Sequence, residues 1–213
     1  MISKIATKAW KKAMKRIFEE GYEFVDTNGR LCRELLNLRL TVENPEIQTQ
    51  EPIEILNNLH NWTYPNLSEI REIILSKKSS LDYLYSYGQR LFNASHAIDQ
   101  IDNYVVPLLK TSENTRRAVA SLWEPEHDSN TNSKEVPGLV YIDFKLRDGR
   151  LNMTAVIRSC DLFFGWPANI YQLFCLQDYV CKKLGCKFGA LTTFLTSAHI
   201  FEYQFEYIKR ILE

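Results

Sequence analysis

Arg158-Ser-Cys-Asp-Leu-Phe-Phe-Gly-Trp-Pro-Ala-Asn-Ile-Tyr171 sets a cation, a hydroxyl, a carboxylate, a helix-starting proline and an amide within fourteen residues. Folding alone asks for no such combination. Leu151 to Arg158 alternates as a half-buried strand, and from Pro167 to Leu184 the apolar residues Ile170, Leu173, Phe174, Leu176, Tyr179 and Val180 recur at helical spacing. The stretch is therefore a strand-to-helix passage loaded with polar groups. An arginine at a strand end offers two parallel donors to an anion, and Ser159 beside it adds a third. The amide of Asn169 both donates and accepts. Asparagine near a helix start is more often a cap, but Gly165 and Pro167 already shape this one.

Outward from that stretch, Leu139–Leu146, the turn Arg147-Asp-Gly-Arg150 and Leu151–Arg158 predict a β-hairpin, with Asp148-Gly149 its strongest local signal. Ahead of the hairpin, Val136-Pro-Gly-Leu139 carries no reactive side chain. Ala118–Trp123 reads as a short apolar strand that Arg116-Arg117 precede, and 124–135 as a polar loop. Downstream, Phe188–Leu195 predicts a strand and Ser197–Leu212 an amphipathic helix, with His199 at their junction. In the N-terminal half, 3–21 predicts a helix, Leu35–Val42 a half-buried strand, 46–64 an irregular polar segment, Asn66–Ser76 a capped helix and Arg90–Leu109 a mostly helical stretch. Runs of strands interspersed with helices imply an α+β fold, one domain over 1–213, with a mixed sheet.

Composition bounds the partners. Lys plus Arg (26) equals Asp plus Glu (26), so no global field recruits nucleic acid or an anionic membrane. The lysine-rich face of the first helix reads as a solvated surface. The N-terminus has no signal-peptide core and no apolar run reaches membrane-spanning length, so a cytoplasmic protein is expected. Five cysteines, an odd count, read as reduced core or surface thiols. Cys181 and Cys186 lack companions at zinc spacing, so no metal is expected. His60, His96 and His127 have no partner at useful spacing.

Together these segments resemble the thymidylate synthase family, including the pyrimidine-nucleotide hydroxymethylases, and are most similar to its short archaeal-type members. Arg158-Ser-Cys-Asp161 with Gly165-x-Pro-x-Asn169-Ile170 resembles the family's nucleotide-binding signature. Thr115-Arg-Arg117 to Trp123, Phe144 to Leu151 and Ser197-Ala-His-Ile-Phe201 follow in the family's order, and Tyr87-Gly88 is similar to a further Tyr-Gly. The likeness runs from about residue 85 onward. It implies a thymidylate synthase-like mixed sheet, one face of which forms a homodimer interface. It also implies methyl or hydroxymethyl transfer to C5 of a pyrimidine nucleoside 5′-monophosphate, dUMP foremost, from a tetrahydrofolate or pterin donor. Arg158 and Ser159, with Arg116 and Arg117 of the second subunit, would hold the phosphate. An arginine near the Asp26–Arg33 turn, Arg33 or Arg30, would complete the cage. Asn169 and the backbone N–H of Asp161 would read the base at its N3 and O4 edge, and His199 would bind the ribose.

Four departures stand beside the likeness. The family's cysteine, whose thiolate adds to C6 of the base and makes C5 nucleophilic, falls at Gly138. Phe201 stands in place of a tyrosine, the chain ends at Glu213 soon after the ribose segment, and no counterpart of the family's active-site glutamate is evident in 50–80. Cys160 lies two residues from Arg158, on the same face of a regular strand, and is the one substitute thiol worth weighing. The alternative to one-carbon transfer is a divergent relative that binds a nucleotide without the cysteine chemistry, or acts on another nucleotide by a different route.

Overall fold

A computed structural model of the chain describes residues 1–59, 62–77, 85–95, 97–132 and 135–213. Its centre is a mixed sheet of β1 (Ile2–Ser3), β2 (Tyr22–Val25), β3 (Leu31–Val42), β4 (Val119–Ser121), β5 (Leu139–Arg147), β6 (Arg150–Ile157), β7 (Cys160–Asp161) and β8 (Lys187–Phe201). The spatial order is β1-β3-β8-β6-β5-β4, with β2 pairing β3 and β7 pairing β8. β8 runs antiparallel to β3 and parallel to both β6 and β7. Helices α1 (Ala6–Glu20), α2 (Glu51–Asn57), α3 (Leu67–Leu75), α4 (Tyr87–Phe92), α5 (Val106–Thr111), α6 (Pro125–Asp128), α7 (Gly165–Leu184) and α8 (Phe205–Leu212) complete the described residues, with a π-helical turn at Ile101–Val105. The α+β architecture is the one expected.

Strand alternation decides where the core sits. Leu38, Leu40, Leu191, Leu195, Met153, Ala155, Ile142 and Phe144 point to one face and are buried. Against that face pack α1, through Ala6, Ala9, Trp10, Ala13, Met14 and Ile17, and α7, through Trp166, Ile170, Leu173 and Leu176. The buried indoles find acceptors, as burial requires: Trp10 donates to the Leu162 carbonyl at 2.7 Å and Trp166 to the Thr193 hydroxyl at 3.0 Å. By register, Arg39, Thr41, Phe194, Thr154, Val156 and Tyr141 share the opposite face, and none of them is buried.

Several sequence expectations hold. The hairpin turns at Asp148 and Gly149 with φ of 50° and 68°, the pair of left-handed residues that a two-residue turn needs. Asn66 caps α3 in a full capping box with Glu69. Basic residues of α1 such as Lys8, Lys12, Lys15 and Arg16 lie exposed, and two of them pair with Glu19 and Glu20 one turn on.

Others fail for visible reasons. No helix begins at Ser197: β8 continues to Phe201 because Ala198 and Ile200 keep the inward alternation, the strand pairs with β3 as far as Phe201, and Ala198 and His199 also pair with β7; α8 begins only at Phe205. The segment 46–64 is not wholly irregular, since Pro52, Ile53 and Leu56 bury α2 against the core. Arg90–Leu109 is broken near Asn93, where the chain turns through an Ala94–Ile98 bridge. His60 and His96 lie outside the described residues.

Close packing fixes one glycine absolutely. A Cβ on Gly88 would overlap the Ser76 carbonyl oxygen and stand 2.8 Å from the Ser76 nitrogen, where α4 crosses the end of α3. Gly88→Ala should therefore cost about 1–3 kcal/mol, the usual penalty of overpacking. Thermal unfolding checks this; an unchanged melting temperature would contradict the packing.

Candidate functional site

The polar groups singled out in the sequence gather where β6 ends, β7 pairs with β8 and α7 begins. Arg158 lies just past β6, and its backbone N–H donates to the Gly138 carbonyl at 2.8 Å. Its guanidinium Nε and Nη2 donate to the carbonyls of Pro137 and Val136, both at 2.9 Å. Arg158 thus clamps the loop that carries Gly138, and Nη1 is left for another acceptor. The Arg158 carbonyl accepts from the Thr196 hydroxyl at 2.7 Å, tying the same point to β8. A Cβ built on Gly138 would stand 3.3 Å from the Ser159 carbonyl and 3.6 Å from the Tyr87 hydroxyl. The position has room for a small side chain only if those neighbours yield slightly.

Asn169 is not a cap. It sits in the second turn of α7, which begins at Gly165. Asp161 instead closes the turn that leads into α7, its Oδ1 accepting the N–H groups of Phe163 at 2.9 Å and Phe164 at 3.1 Å, both ahead of Gly165. Asn169 is half-buried: its Nδ2 donates to Gln172 at 3.3 Å, and its side chain also bonds the Tyr87 hydroxyl. Tyr87 further hydrogen-bonds the Leu139 backbone, and burial pushes its phenol up to about 12. At neutral pH it is a neutral donor, not an anion.

Cys160 does not approach the Gly138 position as a reactive thiol. It is 2% exposed, and its Sγ faces the Asp161 carbonyl at 3.7 Å and the Asn169 Oδ1 at 3.9 Å. Burial and the Asp161 charge raise its pKa well above the ordinary thiol value. A thiol held protonated in this way is a poor nucleophile.

His199 lies within β8, opposite Glu34 of β3 and beside Asp161 of β7. It is not at a strand-to-helix junction. Burial lowers its pKa from the ordinary 6.5, against the pull of Asp161 and Glu34. Burial raises the pKa of Asp161, opposed by the N–H groups of Phe164 and Phe163 and by Gln204, whose Nε2 donates to Oδ2 at 2.8 Å. Phe201, two residues along β8 on the same face as His199, packs edge-on against it with ring centroids 5.1 Å apart. The Arg30 guanidinium covers the Phe201 ring at 4.1 Å.

The arginines divide. Arg33 donates to the Phe18 carbonyl and to Glu23, and lies over the rings of Phe18 and Phe205, away from this group. Arg30, although paired with Asp26 at 2.7 Å, stands over Phe201. Arg116 and Arg117 are exposed and precede β4, whose neighbour Ala118 accepts from Phe144 of β5. From Phe144 back to Gly138 is six residues, about 20 Å of strand. Within one chain these two arginines and Arg158 are at opposite ends of β5. Tyr87, Gln204 and Glu34 belong to the site without having been singled out for it in the sequence, apart from the Tyr-Gly likeness. Glu34 is brought in by strand pairing with His199, and Gln204 by its hydrogen bond to Asp161, neither of which local sequence shows. Among the described residues, no three His, Cys, Asp or Glu side chains converge as metal ligands, and no helix is long and apolar enough to cross a membrane.

Comparison with known proteins gives this geometry a context. Residues 11–213 match the family model described as thymidylate synthase. A protein of Methanosarcina barkeri named "Putative thymidylate synthase" is 35% identical over 211 residues, covering 99% of this chain and 93% of its own length. Relatives of the same name from Methanosarcina acetivorans and Methanothermobacter marburgensis are each 34% identical, covering 96% of this chain and 90% and 93% of their own lengths.

The buried imidazole makes a prediction about stability. A depressed folded-state pKa means that neutral His199 contributes stability fully above about pH 6.5, and that this contribution is lost as pH falls through the lower folded value. Asp161, with a raised pKa, has the opposite sign, and its effect begins above 3.8. In urea unfolding, the midpoint should fall between about pH 7.5 and about pH 5.5 by more in the wild type than in His199→Gln. Parallel curves would refute the assignment.

Proposed function

The chain belongs to the thymidylate synthase family, and we propose that it binds a pyrimidine nucleoside 5′-monophosphate, dUMP foremost, and transfers a methyl or hydroxymethyl unit to C5 of the base. The observation that supports this reading is that Arg158, which clamps the Gly138 loop, Ser159, Asn169 and His199 all lie where β6 ends, β7 pairs with β8 and α7 begins. Arg158 Nη1 and the Ser159 hydroxyl serve the phosphate. Arg30 completes the cage better than Arg33, because it stands by Phe201 and His199 whereas Arg33 is held by α1. Arg116 and Arg117 act from a second copy of the chain. The 20 Å or so of β5 separating them from Arg158 supports that, as does the half-exposed sheet face of Thr41, Phe194, Val156 and Tyr141 as the dimer interface. Asn169, oriented by Tyr87 and Gln172, reads N3 and O4 of the base, with the backbone N–H of Asp161, and His199 binds the ribose.

The one-carbon unit comes from a tetrahydrofolate or pterin carrier, a substrate in this scheme. This chain's own contribution is to hold the base against Asn169, and to place the neutral Tyr87 hydroxyl beside Gly138, where it can donate but not attack.

Gly138 itself favours a second reading: the nucleotide is bound, but no thiolate adds to C6. Among the described residues Cys160 is the thiol nearest in sequence to this group, and it is buried with its sulfur toward Asn169. Calorimetric titration with dUMP, dCMP, UMP and purine monophosphates separates the cases. Preferential binding of dUMP is expected, and failure to bind any of them would discard both readings. Release of tritium from C5 of labelled dUMP in the presence of methylenetetrahydrofolate would support transfer; binding without release would leave only the second reading.

Gly138→Cys tests the cage directly. The new Cβ has neighbours at 3.3 and 3.6 Å that can give by a few tenths. With the cage intact, the variant should release tritium at least about tenfold faster than the wild type, a barrier change of roughly 1.4 kcal/mol. A variant that binds dUMP as tightly as the wild type yet gains nothing would argue against an aligned C6.

A further inference from the structure

Far from the Gly138 loop, the C-terminus of α7 brings two thiols together. The helix ends at Leu184, and Gly185 takes the left-handed conformation with φ of 67°. The N–H groups of Gly185 and Cys186 both return to the Cys181 carbonyl, the latter at 3.2 Å. This is the return that closes a helix when the second residue past the end bonds back to the third from the end. Such a closure sets the side chains of those two residues against each other, most often as an apolar contact. Here both are cysteines, and their thiols share a hydrogen bond. Cys181 is 4% exposed and also donates to the Lys187 carbonyl at 3.7 Å, whereas Cys186 is half-buried and open to small reagents. The remaining cysteines, Cys32, Cys160 and Cys175, are buried and have no thiol partner among the described residues.

We infer that Cys181 and Cys186 form a dithiol modification site, oxidised to an intramolecular disulfide by a low-molecular-weight disulfide. The closure has already oriented the two side chains, so the second step needs no rearrangement of the backbone. The Cys186 thiolate attacks one sulfur of the reagent, forming a mixed disulfide and expelling one reagent thiolate. The Cys181 sulfur then attacks the Cys186 sulfur, the new protein S–S bond forms, and the second reagent thiolate leaves. The two protons of the protein thiols end on the two reagent thiols; the protein loses two electrons and the reagent gains them. The ring so closed joins the last turn of α7 to the residue just before β8. It spans six residues, so its product is a local staple rather than a large entropic gain.

Treating the full-length chain with oxidised glutathione, blocking free thiols with iodoacetamide and mapping tryptic peptides by mass spectrometry tests the inference. The expected product is a disulfide-linked pair of peptides containing Cys181 and Cys186, two hydrogens lighter than their sum, with Cys32, Cys160 and Cys175 alkylated only after denaturation. Cys181→Ser should stop at a glutathione adduct on Cys186, and Cys186→Ser should leave Cys181 unmodified. A wild-type chain that accumulates the adduct at Cys186, or that reacts at neither residue, overturns the inference. Circular dichroism of both serine variants separates loss of the thiol from loss of the fold.

Discussion

The carboxylate of Asp161 holds three parts of this molecule in one place. Its Oδ1 accepts the N–H groups of Phe163 and Phe164 and so closes the turn that leads into α7; its Oδ2 accepts from Gln204, which leads into α8; and its backbone pairs with His199 of β8. Hydrogen bonds to a charged acceptor are worth about 1.5–3 kcal/mol each, and burying such a group unpartnered would cost at least as much. The carboxylate is accordingly well served, although burial still raises its pKa. Where α7 starts decides where Asn169 stands. Where β7 meets β8 decides where His199 stands. One residue therefore sets the spacing between the amide and the imidazole that the nucleotide reading requires.

This constraint explains why some elements were legible in the sequence and others were not. The long helix α7 could be read because its apolar spacing is helical throughout and Gly185 ends it. Its first turn begins two residues before Pro167, at Gly165, because no side-chain cap marks the start and the turn closed by Asp161 runs straight into the helix. The strand β8 was cut short because Ser197, Ala198 and His199 look like a polar helix start in isolation. Only pairing with β3 on one side and β7 on the other makes them strand, and such pairing is not written in local sequence. The phosphate-side arginine shows the same limit. Arg30 and Arg33 are indistinguishable by spacing, yet the closely packed end of α1 takes Arg33 into Phe18 and Phe205, while the turn holds Arg30 over Phe201.

The Gly138 loop shows how little of a site one missing side chain removes. Arg158 donates three times to that loop, once from its backbone and twice from its guanidinium, and none of those bonds involves a side chain of the loop. Those bonds do not depend on the side chain at position 138, provided that it is small enough for the Ser159 carbonyl and the Tyr87 hydroxyl. Loss of a thiol there therefore leaves the clamp, the Tyr87–Asn169 hydrogen bond and the start of α7 standing. That is why the stretch from Arg158 to Asn169 keeps its hydrogen bonds although position 138 carries no reactive side chain.

Sheet register carries the argument one step further. β5 is the strand that separates the two groups of arginines: Gly138 and Arg158 at its start, Arg116 and Arg117 near its far end. A strand does not shorten, so no side-chain motion within one chain closes about 20 Å. A phosphate held by both groups must then lie where two chains meet. The sheet face away from α1 and α7 offers threonines and apolar side chains, none of them buried, that no helix among the described residues covers. A site completed across that face couples binding to association: a nucleotide that engages both groups of arginines stabilises the pair of chains, and dilution of the chains weakens the nucleotide. The apparent affinity for a pyrimidine monophosphate would then depend on protein concentration, a dependence that a site built within one chain does not have.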